Sequence, residues 1–192
     1  MVPPLPPADS ATSADLAAAA ARWWDQQNVA DLEQAFSQAW ASNPGGDETV
    51  KAHLLVLAGL GLADYHGPAL RDPARVVGDE SIARREHHVL ARLGLVRAMF
   101  AEAGMAALML YRGYSLTVPW DPGRHRSLLS ATADRAVAES HFSAATPEGL
   151  LQRATIPVER VFMTWLETPQ LSQPYRESEV VLLAAEARSA LF

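Results

Sequence analysis

Three short segments of the chain carry the residue types that chemistry needs: Arg112-Gly113, Ser130-Ala131-Thr132 and Glu177-Ser178-Glu179. Side chains two apart on a strand face the same way, so Glu177 and Glu179 are expected to enter one cleft while Ser178 points away. Two close carboxylates repel, which raises the proton affinity of one and suits it to take a proton from a nucleophile. A fixed carboxylate can instead stabilise positive charge that develops on a sugar in a transition state. Arg112 offers a planar fork of donors that grips a pyrophosphate at two points, and Gly113 lets the backbone approach a ligand closely. A glutamate pair alone is ordinarily a solvated face. The ordered company of the arginine and the serine gives it weight.

Other chemistries lack their residues. Cysteine is absent, which removes thiolate nucleophiles and Cys-ligated zinc. His87 and His88 are adjacent and so diverge on a helix, and no His-Glu-x-x-His pattern occurs, so no metal is expected. Asp121 and His125 near Ser127 or Ser130 lack the nucleophile elbow of a hydrolytic triad. No Gly-rich phosphate loop is present. The net charge of -6 and a pI near 5.5 argue against a nucleic-acid partner held by phosphate neutralisation. No apolar run is long enough to span a membrane.

The elements that must position these residues divide the chain in two. Residues 1–12 hold four of the 13 prolines and read as a disordered lead-in. Residues 13–104 read as a helical region packed on the core. A first helix runs to about Gln27, capped by Ser13 or Asp15, and a second covers 28–41 with Leu32, Ala35, Phe36 and Trp40 near one face. A third covers 48–65 with a stripe of Leu54, Leu55, Ala58 and Leu62. A long fourth starts at Asp79, repeats Ile82, Val89, Leu93, Val96 and Phe100 at helical spacing, and closes at Gly104. Residues 105–192 switch to short apolar runs, which predict strands at 107–111, 127–130, 151–156, 161–165 and 179–184, with a helix over 133–142 begun by Thr132 or Asp134. One compact α+β unit is expected.

The order arginine, Ser-x-Thr, Glu-x-Glu over roughly the last 85 residues resembles the mono-ADP-ribosyltransferases of the Arg-Ser-Glu class. The resemblance implies a split, mixed β-sheet sandwich whose cleft binds NAD as substrate. It implies that Glu179 bonds the ribose 2'-hydroxyl and is the catalytic carboxylate, that Glu177 positions the acceptor, and that Arg112 and Gly113 hold the pyrophosphate and nicotinamide ends. Ser130 takes the place of the first serine of the family's Ser-Thr-Ser segment, bonding the ribose or orienting Glu179, with Thr132 keeping the third hydroxyl; Ala131 departs from that pattern. Tyr175 falls in the segment that would recognise an acceptor. Glutamate at 177 is the variant associated with arginine acceptors, so the expected reaction is transfer of ADP-ribose to a macromolecule, most simply a protein. Hydrolysis of NAD on the same fold is the first alternative, and a non-catalytic binding or immunity-type module is the second. Family habit implies a bacterial toxin or effector, made in the cytoplasm, delivered by a signal-independent route and countered by an immunity or antitoxin protein.

Overall fold

The computed structural model describes residues 12–44, 46–65, 67, 70–71, 73, 79–115, 127–141, 149–172 and 178–184. They form an α+β structure in the order α1 (Ser13–Gln26), α2 (Ala30–Ser42), α3 (Glu48–Gly59), α4 (Asp79–Glu102), β1 (Ala107–Ser115), β2 (Leu128–Thr132), α5 (Arg135–Ser140), β3 (Gly149–Pro157), β4 (Val161–Thr164) and β5 (Glu179–Leu183). None of the described helices is long and apolar enough to cross a membrane.

Local chemistry sets most of the boundaries. The cap of α1 is Thr12 rather than Ser13 or Asp15: its hydroxyl accepts the Asp15 N–H while the Asp15 carboxylate returns to the Thr12 N–H, a reciprocal capping box. Asp47 caps α3 through the Thr49 N–H, and Asp134 caps α5 through the Ala136 N–H. The third helix stops well short of Tyr65. Gly61 turns to a φ of 67°, a conformation that costs glycine little, and the Leu62 N–H folds back to the Leu57 carbonyl at 2.9 Å.

The described strands make one five-stranded sheet in the order β3-β1-β2-β5-β4, and every pairing in it is antiparallel. Among these residues the sheet is single and antiparallel throughout; a mixed pairing or a second sheet is not among them. β1 runs past its expected end at Tyr111 to Ser115 because β3 pairs with it along its whole length, Ala107 opposite Pro157 through Ser115 opposite Gly149. β2 and β5 pair through all five residues, but the seam between β1 and β2 has one registered pair, Tyr111 opposite Thr132.

Both faces of β5 are covered. Val181 and Leu183 pack with Phe36, Trp40, Leu57 and Leu93, while the alternate residues Val180 and Leu182 pack with Val96, Met99 and Phe100. α4 is the central helix, buried at His88, Val89, Ala91, Arg92, Leu93, Leu95, Val96, Met99 and Phe100. Its expected stripe is present, but Ala91 and Leu95 pack as well against Trp23 and Trp24 of α1. The buried faces of α2 and α3 differ from those expected. α2 buries Glu33, Phe36, Ser37 and Trp40, leaving Ala35 exposed, and α3 buries Val50, Ala52, His53, Val56 and Leu57, leaving Leu55 41% exposed.

Glu33 is inside because Arg92 is. The Arg92 guanidinium is fully buried, pairs with both oxygens of Glu33, reaches Glu167 at 3.3 Å and Thr168, and lies 5.3 Å from the Trp24 ring and 5.6 Å from that of Phe162. Burial alone pushes the Glu33 carboxyl up, but the Arg92 charge and the bond to His88 more than offset this and bring it to about 2. Burial pushes Glu167 up, and there Arg92 does not cancel the effect. The chain of contacts continues from Glu33 to His88 at 2.9 Å and from His88 to His53 at 3.1 Å. His53 commits its Nδ1–H to the Thr49 carbonyl at 2.8 Å, leaving Nε2 as an acceptor, and burial, with His88 beside it, holds its pKa down to about 3.

Two outcomes follow from this network. Arg92→Met strands two buried carboxylates and is expected to cost about 3–5 kcal/mol, against under about 1 kcal/mol for Arg84→Ala in its exposed pair with Asp31, as read from urea midpoints. His53 is neutral when folded and titrates near 6.5 when unfolded, so its contribution is complete above pH 6.5 and declines as pH falls toward 3, by about 2 kcal/mol at pH 5. Glu33 adds a loss only below about pH 4.5, whereas Glu167, raised when folded, works in the opposite sense. The check is the slope of stability against pH between 7 and 5, which should be shallower in His53→Asn than in the wild type; equal slopes would contradict it.

Candidate active site

The three strands that carry the chemical segments are neighbours in the sheet, β1 then β2 then β5. Residues separated by up to 67 positions in the chain, Arg112, Ser130 and Glu179, thereby line one cleft of about 280 Å³. That volume is near the lower end of small-molecule sites, roughly 300 Å³. Trp40, Tyr111, Gly113, Thr132 and His141 complete the functional part of the lining.

The cleft exists because β1 leaves β2 after Tyr111. Beyond that pair the ladder is not continued, and the Arg112 guanidinium donates to the Ser130 carbonyl across the gap. The same guanidinium lies 5.0 Å from the Tyr114 ring. Arg112 thus holds the opened seam from the β1 side, as a cation at the wall of the cleft.

Glu179 is the first residue of β5 and is half-buried, whereas Val180, Val181 and Leu182 behind it are fully buried. Its backbone is pinned on both sides, opposite Thr132 in the β2 register and through its carbonyl to the Trp165 N–H at 3.0 Å. Its carboxylate oxygen Oε1 accepts two donors. One is the Ser130 hydroxyl and the other is the Trp40 indole N–H at 3.2 Å. Convergent donors on one oxygen hold the carboxylate in one rotamer at the cleft surface.

Thr132 lies in the cleft wall but is buried, and its hydroxyl accepts the Asp134 N–H at 3.0 Å, shaping the turn into α5. Gly113 lies in the wall on β1. Glu177 and Tyr175 lie outside the described residues, as do Asp121 and His125. The expectation that Glu177 and Glu179 share a face falls on Glu177 and so lies outside the described residues. Ser178, just before Glu179, has a φ of 42°, and the described strand begins only at Glu179. A left-handed non-glycine residue costs about 1–3 kcal/mol and persists where the surroundings over-determine it. Here the Ser178 carbonyl accepts the Ala133 N–H at 3.2 Å.

Among the cleft residues that sequence reasoning missed are Trp40 and His141. Trp40 reads as core from its helical spacing, which is true of its ring and silent about its N–H. His141 reads as a helix-end residue, which it is, as the C-cap of α5, but that end opens on the cleft. Among the described residues no group of three His, Asp or Glu is placed to hold a metal ion. No family model, curated protein or solved structure matches this chain.

The two cleft hydroxyls have separable roles. Thr132→Val leaves the Asp134 N–H without its acceptor and should lower stability by about 1 kcal/mol, visible as a drop of a few degrees in Tm. Ser130→Ala should leave Tm nearly unchanged, since Ser130 is only half-buried and Glu179 keeps the Trp40 donor. The reverse ranking in thermal melts would reassign both.

Proposed function

We propose that this chain cleaves NAD between nicotinamide and ribose and transfers the ADP-ribose to a macromolecular acceptor, as a mono-ADP-ribosyltransferase, and that its sheet is of the ADP-ribosyltransferase type. The observation that carries this reading is the meeting of Arg112, Ser130 and Glu179 in one cleft on three adjacent strands, with Ser130 donating to Glu179. The opening of the sheet at the β1–β2 seam supports it as well, since it supplies the space in which a substrate would lie.

On this reading the nicotinamide departs with the electron pair of its bond to the ribose, and positive charge develops on the sugar ring. The Glu179 carboxylate, already oriented by Ser130, stabilises that charge without reorganising at the moment of reaction. Arg112 holds the pyrophosphate by its fork of donors and Gly113 admits the substrate close to the β1 backbone. An acceptor nitrogen then attacks the sugar carbon and loses its proton to a base, the role assigned to Glu177. Arginine as the acceptor rests on that residue. NAD hydrolysis, with water as acceptor, is the second reading, and it needs only the described cleft group of Arg112, Ser130 and Glu179.

Glu179→Ala is expected to lower nicotinamide release from NAD by about 100-fold or more while leaving the fold intact, in line with the loss of one preorganised electrostatic contact. Unchanged release in that variant sinks the assignment, and no release by the wild type at millimolar NAD points to a non-catalytic module. Incubation with labelled NAD and a cell lysate identifies the acceptor. Glu177→Gln should then spare hydrolysis and abolish labelling if a macromolecule accepts the ADP-ribose, and change neither if water does.

A further inference from the structure

Trp40 belongs to the helical half of the chain, 139 positions from Glu179, yet its indole Nε1–H ends on the Glu179 carboxylate at 3.2 Å. Its ring is anchored in the core, 5% exposed and stacked on Phe36 with centroids 6.3 Å apart. An indole N–H donates only, and a buried one needs an acceptor. Trp23 shows the ordinary solution in the same molecule: its N–H ends on a backbone carbonyl, that of Ala91, at 3.0 Å. Trp40 instead ends on the one acidic side chain among the described residues that line the cleft, on the same oxygen that Ser130 holds.

The helix that carries it has little freedom to move the indole away. Glu33, Phe36 and Trp40 lie at i, i+3 and i+7 on one face of α2. Glu33 is locked to Arg92 and His88, and Phe36 is packed edge-on against Phe162 with centroids 5.8 Å apart. Rotation of α2 that would withdraw Trp40 from Glu179 would also break the buried ion pair.

We propose that Trp40 is a positioning residue for Glu179, and therefore that α2 supplies part of the reaction centre instead of only packing behind it. The proposal rests on the reading of Glu179 as the carboxylate of NAD cleavage. Ser130 and Trp40 approach Glu179 from β2 and from α2, so each restrains the carboxylate in a direction the other does not. Loss of the indole donor leaves the substrate contacts of Arg112 and Gly113 in place.

The test uses the full chain. Trp40→Phe keeps an aromatic ring in the core and removes the donor, so kcat for nicotinamide release should fall about tenfold with KM changed less than about twofold, the pattern of an interaction made to the transition state. A role confined to packing predicts a lower Tm with wild-type kcat. Because the variant also alters the core, a second measurement leaves Trp40 in place. In the nitrogen-15 spectrum, the indole N–H peak absent from Trp40→Phe identifies Trp40 among the five tryptophans, and that peak should shift in Glu179→Gln. An unmoved indole peak in Glu179→Gln, or a Trp40→Phe enzyme with wild-type kcat while Glu179→Gln is inactive, overturns the positioning role and leaves the proposed reaction standing. Wild-type turnover in Glu179→Gln overturns both.

Discussion

A single charge that cannot be discharged organises this molecule. The Arg92 guanidinium is fully buried in the middle of the central helix, and arginine does not deprotonate inside proteins. A charge in that position needs carboxylates beside it, and the two that serve come from opposite ends of the chain: Glu33 from α2 and Glu167 from the segment after β4. Such a pair is not a strong source of stability compared with apolar packing of the same volume, because desolvation consumes most of the attraction. It is a source of definition. Helix α2 can sit against α4 in one rotation only, the one that brings Glu33 under Arg92. Glu167, whose carboxylate also accepts the Thr164 N–H at 2.6 Å, fixes the end of β4 to the same point.

That definition reaches the cleft by way of two short paths. Along α2, the rotation set at Glu33 carries Trp40 over the start of β5. Along the sheet, β4 pairs with β5 through Met163 opposite Val181 and Thr164 opposite Val180, so the strand that begins with Glu179 is registered against the segment that Glu167 anchors. The cleft is then made by what the sheet leaves undone. β1 spends its hydrogen bonds on β3, and at the β2 seam an arginine side chain meets a carbonyl where a strand would have done so. Ordinary sheets close such gaps, and this one leaves the seam unpaired beyond the Tyr111–Thr132 row.

How far the sequence discloses this depends on whether the signal is local. The four long helices and all five strands are visible in apolar periodicity because burial of a face is what creates the periodicity. Their ends are less so. The Asp134 cap is legible in residue type, but the α1 cap is misplaced to Ser13 or Asp15 when Thr12 serves, the Asp47 cap goes unread, and the stop of α3 near Gly61 competes with apolar residues that continue to Ala63 and suggest more helix. The buried face of α2 is misread for a definite reason: glutamate is assigned to solvent by default, and Glu33 is inside only because Arg92, 59 positions later, is there to meet it. The signal that could have found the pair is Arg92 itself, sitting among Val89, Leu93 and Val96 on the apolar stripe of α4. Arg112, Ser130 and Glu179 are legible as a set by their order along the chain. Trp40 is not, since the acceptor of an indole N–H is a fact of tertiary structure.

The position of Glu179 within β5 also has a physical reason. Val180, Val181 and Leu182 are fully buried and Leu183 nearly so, on both faces of the sheet, and a carboxylate at any of the first three would be desolvated among apolar side chains. Among the described residues of the strand only the first lines the cleft, half-buried, with a hydroxyl and an indole N–H in reach. One residue earlier the backbone is left-handed and the strand has not begun. The cleft carboxylate is therefore confined to a single position by two opposing demands: enough enclosure to fix its direction and strengthen its field, and enough opening to face the cleft. The buried arginine of α4 meets the first demand at a distance, by holding α2 and its tryptophan over the strand. The broken seam between β1 and β2 meets the second.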